Sequence, residues 1–303
     1  VDGLRPRPDH GTPLIMQDRS YTLAQISVYP LKGAGGVELE AAEPDSFGIP
    51  GDRRWMLAHP GGLFISQRTH PRLALLRVRA TGEDGGLGGR FRVEAPGIGA
   101  MVLPEGDASH RLMDVQVHKD RFRGRVLGGG GEWFSDYLGE ACHLLFIPPE
   151  VHRPVDQEFA PGYRTSFADG YPLLVASESS LQDLNNHLAL PAEMTRFRPN
   201  LVIGGSGPWE EDSWRVMEVG EARIDLVKPC ARCSVTTVDQ ETGVTGKEPL
   251  STMARVRRWE GKTFFGQNAV FSRNGSFRVG QSVRIVEEGE ARPPLPPQRP
   301  PAR

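Results

Sequence analysis

At 303 residues the chain has room for about two domains of ordinary size. Its 38% hydrophobic content can fill real cores, yet no run of about 18 apolar residues occurs, so no helical membrane span is expected. The formal net charge of -2 argues against a general nucleic-acid binder, while leaving room for a local basic pocket. Three cysteines are too few, and odd in number, for a disulfide framework; a reducing, cytoplasmic location is expected.

The chain opens on "VDGLRPRPDHGTPLIMQDRS", which lacks the apolar core of a secretory signal, and residues 1–21 are expected to be a flexible segment. Beyond it, 36 glycines and 26 prolines punctuate short apolar runs, the pattern of a β-rich protein with many turns. "YTLAQISVYPL" alternates and is rich in β-formers. "RWMLAHPGGLFISQ" predicts two strands around a turn at Pro60, Gly61 and Gly62. "ALLRVRAT", "RFRVEAP", "HRLMDVQVH" and "RFRGRVLG" predict further strands, together a small β-barrel or sandwich ending near residue 128. In "GGGGEWFSDYLGE", Trp133, Phe134, Tyr137 and Leu138 share one face of a short helix, with Gly139 suited to its C-terminal stop. "ACHLLFIP" returns to strand.

A domain boundary is placed near residue 150, in "IPPEVHRP". "SESSLQDLNNHLALP" is the strongest helix signal: Leu181, Leu184 and Leu188 line one face, Ser177 or Ser179 can cap it, and Pro191 follows. "PNLVIGG", "RVMEVGEARIDLVKP", "SVTTVD", "QNAVF" and "SVRIVEE" all predict strands. The fold class is therefore β-rich α+β, with domains at 22–150 and 151–287. Residues 288–303, ending "RPPLPPQRPPAR", read as a disordered or extended Pro/Arg-rich tail, with a polyproline ligand as the sharper alternative.

"VKPCARCSVTTVDQETG" holds two of the three cysteines, Cys230 and Cys233. A zinc half-site needs partners that the distant Cys142–His143 supplies poorly. A redox pair belongs at a helix start, whereas Val235, Thr236, Thr237 and Val238 favour a strand. Two buried small residues, or a single thiolate ligating a soft metal, complete the alternatives, and Arg232 would help to keep Cys233 ionised. Elsewhere "RFRPNLVI" sets Arg196 and Arg198 before an apolar strand, a pattern suited to gripping an anion or to an ordinary surface pair. "VYPLKGAGG" follows Lys32 with Gly33, Gly35 and Gly36, where exposed N–H groups and a lysine can cradle a phosphate. In "GIPGDRRWML", one of Arg53 and Arg54 is expected to pair with Asp52 or face solvent and the other to face a ligand. His59, His70 and His187 read as surface or packing residues.

Taken in order, "VYPLKG", "GDRRWML" and "FISQRTHPRLALL" resemble the N-terminal β-barrel region of MOSC-domain proteins. "SESSLQDLNNHL", "RFRPNLVI", "DSW", "CARCSVTTVDQETG", "FGQNAVF" and "VGQSVRI" resemble the MOSC domain itself. The resemblance covers roughly residues 22–287 and is nearest to the mitochondrial amidoxime-reducing components and their bacterial relatives. It implies an N-terminal MOSC-type barrel and a MOSC barrel with a few short helices, with Mo-molybdopterin between them. Cys233 matches the cysteine that ligates the metal, and Cys230 matches a position that does not. Lys32, Arg53, Arg198 and Arg232 match positions that bind the pterin or its phosphate. Gly33, Gly170, Tyr171, Asn200, Ala231 and Asn268 match neighbouring contacts.

The implied activity is reduction of N-hydroxylated compounds: amidoximes, hydroxylamines or N-hydroxylated bases. Asp239 is a candidate proton donor, or alternatively the cap of the turn Gln240–Gly243. Gly33 stands where the family often has Ser, which removes a hydroxyl contact and leaves the backbone N–H. Asn268 stands where the mitochondrial proteins carry an aromatic, which bears on substrate preference. No cysteine follows Cys233, so electrons are expected from a separate protein of ferredoxin, flavin or cytochrome b5 type. The rival readings are a non-catalytic cofactor carrier or sulfur-transfer protein, and a binder of some other anion.

Overall fold

The computed structural model describes residues 20–82, 90–106 and 110–293. Seven strands close a barrel. Their order around the ring is Leu173–Ser177, Leu201–Gly204, Tyr21–Val28, Ser282–Glu288, Trp214–Val219, Ala222–Ala231 and Lys262–Arg273, the last pairing back onto the first. Closure is direct: Leu173 pairs with Ala269 on one side of its strand and Val175 with Leu201 on the other. The interior takes the apolar residues that alternate inward, among them Leu23, Ile26, Leu173, Val175, Leu201, Ile203, Met217 and Ile224, all buried. Removing every strand edge is the physical gain of such closure.

Residues 55–146 form an open half-barrel of two sheets, one of four strands and one of three (Arg77–Ala80, Phe91–Ala95 and Gly99–Val102). Trp55 joins them. Its ring meets Phe91 at 5.8 Å and Phe146 at 5.3 Å, and its indole N–H donates to the Pro104 carbonyl at 2.8 Å. The turn after Ala58 needs Gly62: φ is +86°, and a Cβ would stand 2.2 Å from the Asp114 carbonyl oxygen.

Both expected helices form. Gly130–Leu138 buries Phe134 and Tyr137 and stops at Gly139, whose φ is 77°. Glu178–Asn185 is capped by the Ser177 hydroxyl, which accepts from the Ser180 N–H. A third helix, Leu250–Val256, has only seven residues and packs Met253 and Val256 into the cluster around Phe197 and Phe265.

Three sequence expectations change. First, strand Tyr21–Val28 is part of the closed barrel, pairing with Leu201–Gly204 and Ser282–Glu288, so the N-terminal region is a half-barrel rather than a ring closed on its own. Second, "SVTTVD" is not a strand. Ser234–Thr237 is a 3-10 turn, because the Thr236 and Thr237 hydroxyls bond back to the carbonyls of Cys233 (3.0 Å) and Ser234 (2.8 Å). Third, the tail begins later than 288. The Gly289 N–H donates to Ser213, the Arg292 N–H to Asp212, and the Arg292 guanidinium to the Leu226 carbonyl at 2.7 Å. The flexible-segment and tail expectations otherwise fall on residues 1–19 and 294–303, outside the described residues. Among the described residues no helix is long and apolar enough to cross a membrane.

Candidate functional site

A cavity of about 390 Å³ lies where the half-barrel meets the barrel. Among the described residues, seven cations line it (Lys32, Arg53, Arg68, Arg198, Lys228, Arg232 and Lys262), against one carboxylate, Asp169. This local excess sits inside a chain of net charge -2, so the positive charge is concentrated rather than general. Cys233 lines the same wall, as do Gly33, Gly170, Tyr171, Asn200, Ala231 and Asn268. The fold thus assembles every sequence-predicted cofactor contact in one place.

Arg53 and Arg198 form the inner pair. Both have left-handed backbones, with φ of 48° and 57°, a conformation rare for non-glycine residues and concentrated at functional sites. Arg53 donates to both oxygens of Asp52, at 2.8 and 2.7 Å, and to the Arg198 carbonyl at 3.2 Å. Arg198 donates to the Ala34 carbonyl at 2.6 Å, while its Nη2 is buried with no hydrogen-bond partner among the described residues. Burial, and then repulsion from Arg53, pull its guanidinium down to about 10. A buried donor left unpaired is costly, which marks this atom as waiting for an acceptor.

Asn200 supports Arg53. Its amide donates to the Ser27 carbonyl (3.1 Å) and accepts from the Leu174 N–H (3.1 Å) and from Arg53 (3.3 Å). Its side chain is spent on positioning rather than left open to a ligand. Lys32 reaches the Phe167 carbonyl at 2.7 Å and Asp169 at 2.6 Å. Burial lowers its ammonium pKa, and Asp169 opposes that shift. Burial would raise Asp169, but Lys32 and His118 outweigh it and hold the carboxyl well below its usual range. Gly33, with φ of 92°, turns the chain after Lys32, and its carbonyl accepts from Gln67 at 2.6 Å.

Both cysteines of the CxxC reach the cavity wall. Cys233 precedes the 3-10 turn and is half-buried on the cavity wall. Cys230 lies at the end of strand Ala222–Ala231 and also lines the cavity. The Arg232 guanidinium donates to the Cys230 sulfur at 3.0 Å and to the Phe197 carbonyl at 2.7 Å. Its Nε is a second buried donor without a partner among the described residues. Cys142 is buried under helix Gly130–Leu138 against Ser135, and burial pushes its thiol up. Among the described residues no group of three or more His, Cys, Asp or Glu is arranged to hold a metal, which leaves no support for a zinc site.

Two further expectations are corrected. The Asp52–Arg53–Arg54 run was expected to divide its roles, yet Arg53 both pairs with Asp52 and lines the cavity, while Arg54 turns away to Asp45 at 2.6 Å. Asp239 is not on the cavity wall. Its Oδ1 accepts from the Glu241 and Thr242 N–H groups (3.1 and 2.9 Å) and its Oδ2 from Arg196 at 2.7 Å. The Thr242 hydrogen bonds lead in lowering its pKa, and the same bonds make Asp239 the cap of the turn that follows it. The same contact takes Arg196 away from the site. Sequence reasoning missed Tyr29 and Asp169; their only signals were their places in "VYPLKG" and "FADGY".

Comparison with known proteins agrees with this arrangement. Residues 20–141 match the MOSC N-terminal beta barrel domain and residues 162–284 the MOSC domain. The chain is 33% identical over 285 residues to mitochondrial amidoxime-reducing component 1 of Mus musculus, covering 88% of this chain and 82% of that protein. It is 31% identical over 284 residues to the Homo sapiens component 1, covering 88% and 83%. For component 2 of Bos taurus the figures are 30% over 282 residues, covering 86% and 82%. With the two matched domains in order and relatives similar over most of their own length, this chain belongs to the family of MOSC-domain proteins that includes the amidoxime-reducing components.

Proposed function

We propose that the protein is a molybdenum-cofactor-dependent reductase of N-hydroxylated compounds, with electrons from a separate redox protein of ferredoxin, flavin or cytochrome b5 type. The observation that carries the reading is the meeting, in one cavity, of the Cys233 thiol with a cation cluster whose Arg198 Nη2 and Arg232 Nε are buried and without a partner among the described residues. That donor set fits a molybdopterin: a soft thiolate for the metal, and cations and N–H donors for a phosphate and a polar ring edge. Cys233 would ligate the metal. Lys32, Arg53, Arg198 and Arg232 would hold the anionic and polar edges. Gly33, Gly170 and Ala231 allow close backbone approach, and Tyr171 and Asn268 border the same space.

When bound, the molybdenum centre supplies the two electrons that cleave the N–O bond. The balance for an amidoxime is R–C(NH2)=NOH + 2 e⁻ + 2 H⁺ → R–C(NH2)=NH + H2O. The protein's part is to hold the cofactor and bias the cavity toward anions and polar groups. Asn200 fixes Arg53, and the Thr236 hydroxyl fixes the carbonyl of Cys233.

The test is molybdenum and pterin content per chain, with amidoxime reduction by a supplied donor, for wild type, Cys230→Ser and Cys233→Ser expressed in a cofactor-producing host. Near-stoichiometric cofactor in wild type and Cys230→Ser, with metal or activity lost in Cys233→Ser, is expected. Full molybdenum and full activity in Cys233→Ser would remove the ligand assignment. The openness of Cys230 to the cavity favours one second reading, a cofactor carrier or sulfur-transfer protein. Bound cofactor without turnover, given several electron donors, would select it.

A further inference from the structure

Two like-charged side chains, Arg53 and Arg198, come together at the inner end of the cavity, and one residue touches both. The Arg53 guanidinium carbon lies 4.6 Å from the centre of the Tyr29 ring, and that of Arg198 lies 4.1 Å from it. Tyr29 is 4% exposed and does not line the cavity. Its backbone N–H donates to Asp52 at 2.8 Å, the carboxylate that grips Arg53, and its carbonyl accepts from the Arg53 N–H at 3.0 Å. Its hydroxyl donates at 3.1 Å to the carbonyl of Pro199, the residue after Arg198. A single residue therefore ties down both arginine loops, each of which turns through a left-handed residue.

The ring is itself held in place by an absence. Gly36 faces it, and a Cβ there would stand 2.7 Å from Cε1 and 3.1 Å from Cδ1. Gly36 does not have a left-handed φ, so its backbone accepts alanine; only the ring objects. The π-face of an aromatic ring attracts guanidinium groups and competes little for their N–H donors, unlike a carboxylate. Arg198 makes one bond from Nη1 and leaves Nη2 without a partner among the described residues.

We propose that Tyr29 is the positioning residue of the anion site: its ring is the shared support that sets the spacing at which Arg53 and Arg198 present N–H donors to an oxyanion. This rests on reading the cavity as an anion-binding cofactor site. Tyr29 acts through the arginines and does not touch the ligand.

The experiment uses the full chain produced in a host that makes no molybdopterin, with pyrophosphate as the probe and calorimetry for its Kd. Urea midpoints report the fold. Wild type is compared with Tyr29→Phe, Tyr29→Leu, Gly36→Ala and, as the control for the underlying reading, Arg198→Met. Tyr29→Phe keeps the ring and is expected to bind within about threefold of wild type. Tyr29→Leu and Gly36→Ala, in preparations that stay folded, are expected to bind about tenfold more weakly, the worth of one well-placed ring contact. Gly36→Ala keeps the test open where Tyr29→Leu fails to fold. Wild-type affinity in folded Tyr29→Leu or Gly36→Ala overturns the proposal and leaves the anion site standing. No pyrophosphate binding by wild type, or equal binding by Arg198→Met, overturns the anion site and this proposal together.

Discussion

Glu211 gives the barrel a pH dependence whose sign and size follow from its surroundings. It is fully buried, and its Oε2 accepts from the Ser177 and Ser180 hydroxyls at 3.0 and 2.7 Å. Its Oε1 has no hydrogen-bond partner among the described residues. Burial, and then the neighbouring Asp212, raise its pKa from 4.5 to about 7. Burial raises Asp212 too, but Arg257 at 2.5 Å and Gln267 at 2.7 Å hold its charge, so Glu211 is the member that keeps a proton. The folded pKa lies above the unfolded one, so the folded state binds more protons between them. This contribution to stability is whole below about pH 4.5 and fades as pH rises through about 7. A shift of that size is worth about 3 kcal/mol at 1.36 kcal/mol per unit. Replacing Glu211 by Gln removes the titration and keeps an oxygen for the two serines. Urea unfolding from pH 5 to 8.5 should show wild type losing about 2.5 kcal/mol relative to Glu211→Gln across that window, since part of the contribution is already gone at pH 5. Parallel stability curves would refute the reasoning.

Asn200→Leu should be costly in two ways. It strips partners from the Leu174 N–H and the Ser27 carbonyl, a loss of roughly 2–5 kcal/mol read in urea. It also frees Arg53, so pterin retention after gel filtration should fall. Asp239→Asn should do little by comparison. It keeps an acceptor for the Thr242 N–H and gives up a part-exposed ion pair with Arg196, costing less than about 1 kcal/mol. The pH profile of amidoxime reduction should not change with that substitution; a lost limb would restore Asp239 as proton donor.

How far the sequence carried depends on whether a residue's role is local. Ser177 and Gly139 punctuate helices by chemistry confined to one turn, and both were legible. So were Lys32, Arg53, Arg198 and Arg232 as a set, through ordered motifs, although no periodicity says that residues 32 and 232 share a wall. What escaped was the choice between competing local bonds. "SVTTV" has strand propensity, yet two threonine hydroxyls bonding back three residues make a turn. Arg196 and Arg198 look equivalent in "RFRPN", yet the first serves Asp239 and the second the cavity. The place of Tyr29 in "VYPLKG" did not disclose its role, because its partners, Asp52, Arg53, Arg198 and Pro199, are brought to it only when strand Tyr21–Val28 enters the barrel.

The way the cations are compensated bears on what the cavity is for. Buried positive charge must be offset, and carboxylates are the strongest means. Here they are sparing: Asp52 serves Arg53, Asp169 serves Lys32, and Asp156, off the cavity wall, serves Lys228. Most of the rest comes from groups without full charge. Phe167 offers its carbonyl to Lys32, Ala34 to Arg198, Phe197 to Arg232, and the Tyr29 ring faces two guanidinium groups. A carboxylate beside Arg198 would satisfy the arginine and then compete with any incoming anion for the same donors. Carbonyl dipoles and a ring face lower the cost of burying the charge without occupying Nη2. The positive field is thereby kept for a ligand rather than quenched within the fold, which is how a chain with a slight negative excess comes to hold a cavity lined, among the described residues, by seven cations and one carboxylate.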